Sequence, residues 1–177
     1  MSNQNYRELT HEFVESILSN GTLSGLPVDV EGISRSVGLK VIDFPFQEDI
    51  SGVLVLDEEG ATIGYNPNES NVRKRFSIAH ELGHFILHAR NSTSGMFMDK
   101  LLFRKNITTY SSKEEEIERE ANYFAANLLM PAQLVINEVN KLNHSKDDEE
   151  NIKILSKKFD VSVSAMTYRL VNLGIYK

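Results

Sequence analysis

The sequence predicts an α+β fold in which a small β-sheet packs on helices and a further helical segment follows. Three observations support this prediction. Apolar residues recur at helical spacing near the start, the pattern becomes extended over 39–65, and helical spacing returns from about residue 70 onwards. With 177 residues, 41% of them hydrophobic, the chain can build one sizeable core, or a core with a small appendage.

The elements of the first half follow from local patterns. Helices are predicted over about 5–19 and 27–37, and Gly38 suits the position after the second helix end. Strands are predicted at 39–44, 51–56 and 61–65. The turn at 57–60 contains a glycine, so the last two strands should form a hairpin.

The second half is predicted to be helical. A helix should begin near Ser70 or Asn71, and a second should run from a capping-box-like sequence at 111–114 to about Met130. Pro131 suits the first position of the next helix, 132–142. The charged stretch 143–150 is predicted to be a linker, with helices near 151–159 and 162–173 after it. We therefore expect a main domain over 1–142 and a helical segment over 143–177 packed on the same core.

Composition excludes several functional classes. A formal net charge of −6 argues against a general nucleic-acid surface. The absence of cysteine excludes a disulfide framework and a thiolate metal site. There is no apolar run of about 18 residues and no apolar signal-peptide core at the start. We therefore expect a cytoplasmic protein that does not bind membranes.

The motif H-E-x-x-H occupies residues 80–84 of the first helix after the strands. Four residues advance a helix by about 1.1 turns, so His80 and His84 project from one face and can hold one metal ion. Glu81 lies beside them, where it can accept a proton from a water molecule that the metal activates. Nearly continuous apolar neighbours indicate a buried helix, in which two histidines and a glutamate are costly without a function. These residues therefore predict a metal site rather than a structural pair of histidines.

A catalytic zinc site usually has a third protein ligand. Six residues beyond His84, where one class of zinc peptidase has a histidine, this chain has Arg90. His88 lies about 12 Å along the helix from His80, which suggests a helix C-terminal cation or a hydrogen-bonded neighbour instead. The helix that starts near 112 offers Glu118 and Glu120, which lie about 200° apart around its axis. Geometry alone leaves the choice between these two open.

The sequence A-H-E-L-G-H at 79–84, followed by E-R-E-A-N-Y-F-A-A-N-L-L-M-P at 118–131, resembles the ImmA/IrrE metallo-endopeptidases. The resemblance extends to 73–76, the upstream hairpin, 159–162 and 169–174, and so covers most of the chain. It implies a zincin-like fold and a zinc-dependent peptidase. It also implies His80, His84 and Glu118 as the zinc ligands, with Glu81 as general base. Glu118 is chosen over Glu120 by the spacing of the resembling motif.

Members of that family are typically bacterial or from mobile elements, and several cut a helix-turn-helix repressor encoded beside them. The resemblance therefore implies limited cleavage of such a regulator. The alternative is a metal-binding sensor or activator that controls a repressor without cutting it. Tyr65, Tyr110 and His88 are candidates for stabilising the oxyanion, and the sequence does not choose among them. A substrate strand is expected to pair with an edge of the sheet, at 51–56.

Two further features have competing interpretations. The basic cluster 73–75 is either a solvated face or a contact for an acidic partner. The last two helices resemble a helix-turn-helix, but Arg169 is the one basic residue in the final helix. We therefore interpret them as a packing unit and expect no direct contact with nucleic acid.

Overall fold

The computed structural model describes residues 5–20, 25–46, 50–89, 112–142 and 147–176. Within these ranges the helices are α1 (Asn5–Ser19), α2 (Val30–Ser36), α3 (Asn71–His84), α4 (Ser112–Leu129), α5 (Ala132–Val139), α6 (Asp148–Phe159) and α7 (Val163–Asn172). The strands are β1 (Leu39–Asp43), β2 (Gly52–Asp57) and β3 (Gly60–Tyr65). A π-helical turn, Phe85–Ala89, continues α3. The predicted α+β class is confirmed.

The three strands form one mixed sheet in the order β1-β3-β2. β2 and β3 are the predicted antiparallel hairpin, with Leu54 opposite Ile63, while β1 runs parallel to β3. Ile63 is fully buried, and β2 and β3 pack against α3. The sheet therefore covers one side of α3, and β2 is an edge strand lying next to that helix.

Helix α3 is the central element of the fold. Ser70 caps its start by accepting a hydrogen bond from the backbone N–H of Arg73 at 3.3 Å, as an N-cap serine does. Every residue from Ser77 to Gly83 is buried, because α4 packs on one side of the helix and the sheet on the other. This explains why the sequence around H-E-x-x-H is almost continuously apolar.

The last two helices share the main hydrophobic core. Leu155, Phe159, Met166 and Leu170 are fully buried in a cluster that also includes residues of α1, α3 and α4. The division of the chain at 142/143 itself stays a prediction. Among the described helices, none is long and apolar enough to cross a membrane.

The predicted linker is wrong over its last three residues, because α6 already begins at Asp148. Asp147 caps this helix by accepting from the backbone N–H of Glu150 at 2.7 Å. The acidic run that looked like a solvated linker is the first turn of a helix, where negative charge is favoured by the helix dipole. Residues 143–146 of that prediction lie outside the described residues.

Arg75 is not part of a solvated or docking face, contrary to both interpretations of the basic cluster. Its side chain is 16% exposed. It donates to the carbonyl of Val28 at 2.9 Å and to the carbonyl of Asp160 at 3.3 Å. The Asp160 carboxylate lies 3.4 Å away. Arg75 therefore joins α3 to the segment before α2 and to the end of α6, where the last carbonyls have no partner within the helix.

Candidate metal centre

The close approach of α3 and α4 builds the site, and Gly83 makes it possible. A Cβ atom on Gly83 would lie 3.1 Å from the Cβ of Phe124 and 3.2 Å from the carbonyl oxygen of Ala121. On α4, Ala121 and Ala125 are fully buried and small, as expected at a close helix contact. Because the helices meet here, Glu118, one turn before Ala121, is held beside the histidines of α3.

The structure brings His80, His84 and Glu118 together, with one possible ligand atom from each within 4.8 Å of the others. The Nε2 atoms of His80 and His84 are 3.0 Å apart. Glu118 places Oε1 3.1 Å from Nε2 of His84, and Oε2 3.4 Å from Nε2 of His80. Tetrahedral zinc with ligands at about 2.0–2.1 Å separates its ligand atoms by about 3.3 Å. The distances that join these two nitrogens and the two carboxylate oxygens are therefore close to those expected between zinc ligands.

Asn122 determines which nitrogen of His80 faces this cluster. The Asn122 side-chain oxygen lies 3.2 Å from Nδ1 of His80. An amide oxygen only accepts, so Nδ1 must donate, and in the neutral ring Nε2 then carries a lone pair. That lone pair faces His84 and the Glu118 carboxylate. Orientation of a metal-binding histidine by a hydrogen bond to its other nitrogen is a common feature of metal sites.

Glu118 supplies a negative charge that suits a cation. Burial raises the pKa of Glu118, but the nearby His80 and His84 lower it more, to about 2, so the carboxylate is ionised at neutral pH. Its Oε1 is buried and makes no hydrogen bond of good geometry, although Nε2 of His84 is 3.1 Å away. A buried, ionised and incompletely bonded oxygen between two imidazoles fits a bound metal ion.

Comparison with known families agrees with this geometry. Residues 35–171 match the sequence model of a peptidase family described as the IrrE N-terminal-like domain. The matched region contains His80, His84 and Glu118, and it spans well over half of the chain. This chain belongs to the ImmA/IrrE family. It carries the metallopeptidase-type domain of that family, and the resemblance noted in the sequence is confirmed.

A solved structure, that of a Mycobacterium tuberculosis transcriptional regulator, has a similar fold, with a TM-score of 0.61. The two sequences are 15% identical, so the similarity concerns the fold alone. It covers 92% of this chain and 46% of the regulator, so this chain spans about half of the regulator's length. No curated protein matches the sequence significantly.

Glu81 is next to the ligand candidate His80 in the sequence, and its side chain faces β2, the edge strand of the sheet. It is 5% exposed. A Cβ atom built on Gly52, the first residue of β2, would lie 3.4 Å from Oε1 of Glu81 and 3.1 Å from Cβ of Ser77. Gly52 therefore allows β2 to pass close to this part of α3, as glycine does where a strand approaches another element. Glu81, which directly follows His80 in the sequence, therefore has its side chain against the start of β2.

His88 and Glu120 form a separate contact outside the cluster. His88 lies in the π-helical turn, and its Nε2 is 3.7 Å from Glu120, too far for a hydrogen bond. Burial and the nearby His84 lower the pKa of His88 to about 4, although a hydrogen bond to the backbone of Ile117 opposes the shift. His88 is thus neutral at neutral pH. Of the two predicted roles, the lowered pKa and the backbone contact with Ile117 favour the hydrogen-bonded neighbour over the helix C-terminal cation.

The structure describes two of the three candidates for the oxyanion donor, His88 and Tyr65. The His88 ring lies 5.7 Å from the His84 ring, so it is near the cluster. Tyr65 is in β3, where burial and the charges of Glu31 and Asp43 raise its pKa. Tyr110 lies outside the described residues. The identity of the donor stays a prediction.

Sequence reasoning missed the roles of Asn122, Gly83 and Gly52. For Asn122 a signal was present, because a residue four positions after Glu118 lies on the same helix face and reaches the same neighbour. For the two glycines the signal was weaker. A glycine inside a helix or strand often marks a close approach, but the sequence alone does not say what approaches.

Proposed function

We propose that this chain is a zinc-dependent endopeptidase that makes limited cleavage of a protein regulator, a helix-turn-helix transcriptional repressor. The observation that carries the proposal is the convergence of His80, His84 and Glu118, with Glu81 buried beside them next to an edge strand. Membership of a peptidase family supports the same reaction class.

The donor set favours zinc. Two imidazole nitrogens and one carboxylate oxygen, with a fourth position left for water or substrate, are typical of catalytic zinc sites. His80, His84 and Glu118 would hold the ion. When bound, zinc would polarise the scissile carbonyl and make a water molecule more acidic.

Glu81 is proposed as the general base. Its carboxylate would take a proton from the attacking water and pass it to the amine that leaves. Its position one residue after His80 keeps it close to the cluster, while the Gly52 contact keeps it on the sheet side. Asn122 would act indirectly, by holding the ring of His80 through Nδ1.

Strand β2 is the proposed binding edge for the substrate. One of its edges pairs with β3, and in the described residues no strand pairs with the other. An extended peptide could add to this free edge by backbone hydrogen bonds. Because Gly52 lies against Glu81, a peptide on β2 would place one of its carbonyls near the general base.

The choice of a repressor as substrate rests on the family and on physical argument. The similar M. tuberculosis structure is a transcriptional regulator, which is compatible with a role in gene control. A cytoplasmic peptidase with an unrestricted cleft would damage other proteins, so a restricted substrate is expected. Direct contact with DNA is not part of the proposal, because Arg169 is buried and donates to the carbonyl of Met130 at 2.9 Å.

The roles of the site residues can be separated by zinc analysis. His80→Ala, His84→Ala and Glu118→Ala should lose stoichiometric zinc, because each removes one ligand. Glu81→Gln should keep its zinc, because Glu81 is proposed to act on water. Elemental analysis of the purified variants measures this. Zinc loss in Glu81→Gln as large as in the histidine variants would refute this division of roles.

Substrate restriction is tested by incubating the zinc-loaded protein with casein and with a candidate helix-turn-helix repressor. Cleavage of the repressor at one or a few sites, with casein almost intact, is expected. Rapid and unspecific digestion of casein would refute restriction. Tight binding of the repressor without cleavage, unchanged in Glu81→Gln, would instead establish the sensor.

A further inference from the structure

A second site is a groove between α1, α3, α4 and α7, with a volume of about 950 Å³. We name it the arginine groove, because three exposed or half-buried arginines, Arg7, Arg73 and Arg119, line it. The proposed peptidase reaction does not use these residues.

The charge of the arginine groove is opposite to that of the whole chain. The chain has 25 acidic and 19 basic residues. Yet the described residues that line the groove include four arginines and one histidine, and neither aspartate nor glutamate. Arg169, the fourth arginine, donates to the carbonyl of Met130. Arg73 lies 3.8 Å from Glu69 and Arg119 lies 3.9 Å from Glu116, but neither glutamate lines the groove. Such a local excess of positive charge selects an anionic ligand.

The walls of the groove are aromatic and apolar between these charges. Phe76, Tyr123 and Tyr168 line it, together with aliphatic residues of α4. The Arg7 guanidinium lies 5.4 Å from the ring centre of Tyr123, in a cation–π contact. A ligand that fits both features carries acidic groups and at least one apolar side chain.

The openness of the groove favours a peptide segment over a small molecule. Tyr168 is 72% exposed, and the Arg119 side chain is 62% exposed. Small-molecule pockets bury most of the ligand surface, whereas an extended chain can lie along an open groove. A DNA duplex is a poorer fit, because its recognition would need basic residues on the outer face of α7, and Arg169 points inward.

The groove adjoins the metal centre from behind His80. Asn122 lines the groove and accepts from Nδ1 of His80, while Nε2 of the same ring faces Glu118. Phe76 also lines the groove, and its ring lies 5.9 Å from the His80 ring. A segment bound here would therefore be held close to the cluster without occupying it.

We propose that the arginine groove is a docking site for an acidic segment of the protein substrate that also carries an apolar side chain. This inference rests on the proposed function, since it assigns the groove to the substrate of that reaction. It gives a physical source for substrate restriction. A protein without such a segment would lack the contacts that hold it near the metal centre.

The test uses the full chain, zinc-loaded and carrying Glu81→Gln so that bound peptides are not cut. A random peptide library displayed on phage is selected on this protein, and the enriched peptides are synthesised and their affinities measured. The same measurement is repeated in Arg7→Glu and in the double variant Arg7→Glu/Arg119→Glu. Arg7 is chosen because it lies in α1, which carries none of the candidate metal ligands. The matched control is Arg35→Glu, since Arg35 is also exposed and pairs with a glutamate on its own helix.

Enriched peptides should contain aspartate or glutamate together with an aromatic or aliphatic residue. The double variant should weaken their binding by about tenfold or more, Arg7→Glu by less, and Arg35→Glu hardly at all. Selection of no peptides, or of peptides without acidic residues, would overturn the proposal. So would equal binding by the double variant, or displacement of the peptides by random duplex DNA. Peptide binding is measured without cleavage, so the two proposals can fail separately. With Glu81 restored, repressor cleavage that the double substitution does not slow would overturn the docking role alone. Absence of cleavage while the enriched peptides still bind through Arg7 and Arg119 would overturn the peptidase function alone.

Discussion

Replacing Gly83 by alanine tests whether the contact between α3 and α4 sets the metal site. The added Cβ would lie 3.1 Å from two carbon atoms of Phe124 and 3.2 Å from the carbonyl oxygen of Ala121. Non-bonded carbons normally approach to about 3.5–4.0 Å, so Phe124 and the adjacent backbone of α4 must shift by roughly a few tenths of an ångström. Zinc ligands are expected within about 0.2 Å of their ideal distances, so a shift of this size at Glu118 should weaken zinc binding.

Stability should change less than metal affinity in Gly83→Ala. Overpacking of a core costs about 1–3 kcal/mol, and alanine recovers up to about 1 kcal/mol of helix propensity, which leaves a net loss of about 0–2 kcal/mol. We expect zinc affinity to fall by about tenfold or more. Competition with a fluorescent chelator measures the affinity, and chemical denaturation of the metal-free protein measures the free energy of unfolding.

The matched control is Gly32→Ala, the same substitution in α2. There the new methyl group would meet the Asp29 carboxylate that caps the helix, and α4 is not involved. We expect Gly32→Ala to alter stability and to leave zinc affinity unchanged. If Gly83→Ala binds zinc as tightly as the unmodified protein, then the close approach of the two helices does not set the ligand geometry.

Three further substitutions test other parts of the account. Asn122→Ala should lower zinc affinity by about 10- to 100-fold, because His80 loses the acceptor that orients it. Asn137→Ala, at an exposed position, is the control in the same chelator assay, and equal zinc affinity of the two variants would contradict the role of Asn122. Gly52→Ala should keep its zinc but lower kcat by about tenfold, because the new methyl group would press against α3 beside Glu81, the proposed general base. An unchanged kcat in a steady-state cleavage assay would count against that placement. Arg75→Met should lower the free energy of unfolding by about 2–3 kcal/mol in urea denaturation, because it leaves part-buried carbonyls without a charged donor. A loss below about 0.5 kcal/mol would show that these contacts are weak.

Local patterns were sufficient to predict most of the fold. The strands and α3 could be placed to within a residue or two, because periodicity, the hairpin turn and the Ser70 cap are encoded in neighbouring residues. The predicted start of α6 is wrong, because acidic residues suit both a solvated linker and the first turn of a helix. The π-helical turn after His84 had no signal in the apolar pattern, which continues through it.

The candidate site was predictable only where its residues are close in sequence. His80 and His84 follow from one helical turn, whereas the choice of Glu118 needed the family resemblance, since periodicity alone did not exclude Glu120. Arg75 shows the same limit at longer range. Its partners, Val28 and Asp160, lie 47 and 85 residues away, so no local pattern distinguishes this buried arginine from an exposed one.

The central claim is that Glu81 acts as general base in the hydrolysis of a protein regulator, at the site formed by His80, His84 and Glu118. The most direct measurement is intact-mass spectrometry of a candidate helix-turn-helix repressor over time, with the unmodified protein and with Glu81→Gln, each carrying one zinc ion per chain. We expect two fragments whose masses sum to that of the repressor plus one water, and no fragments with Glu81→Gln. Equal cleavage by both proteins, or an intact repressor with both, would contradict the claim.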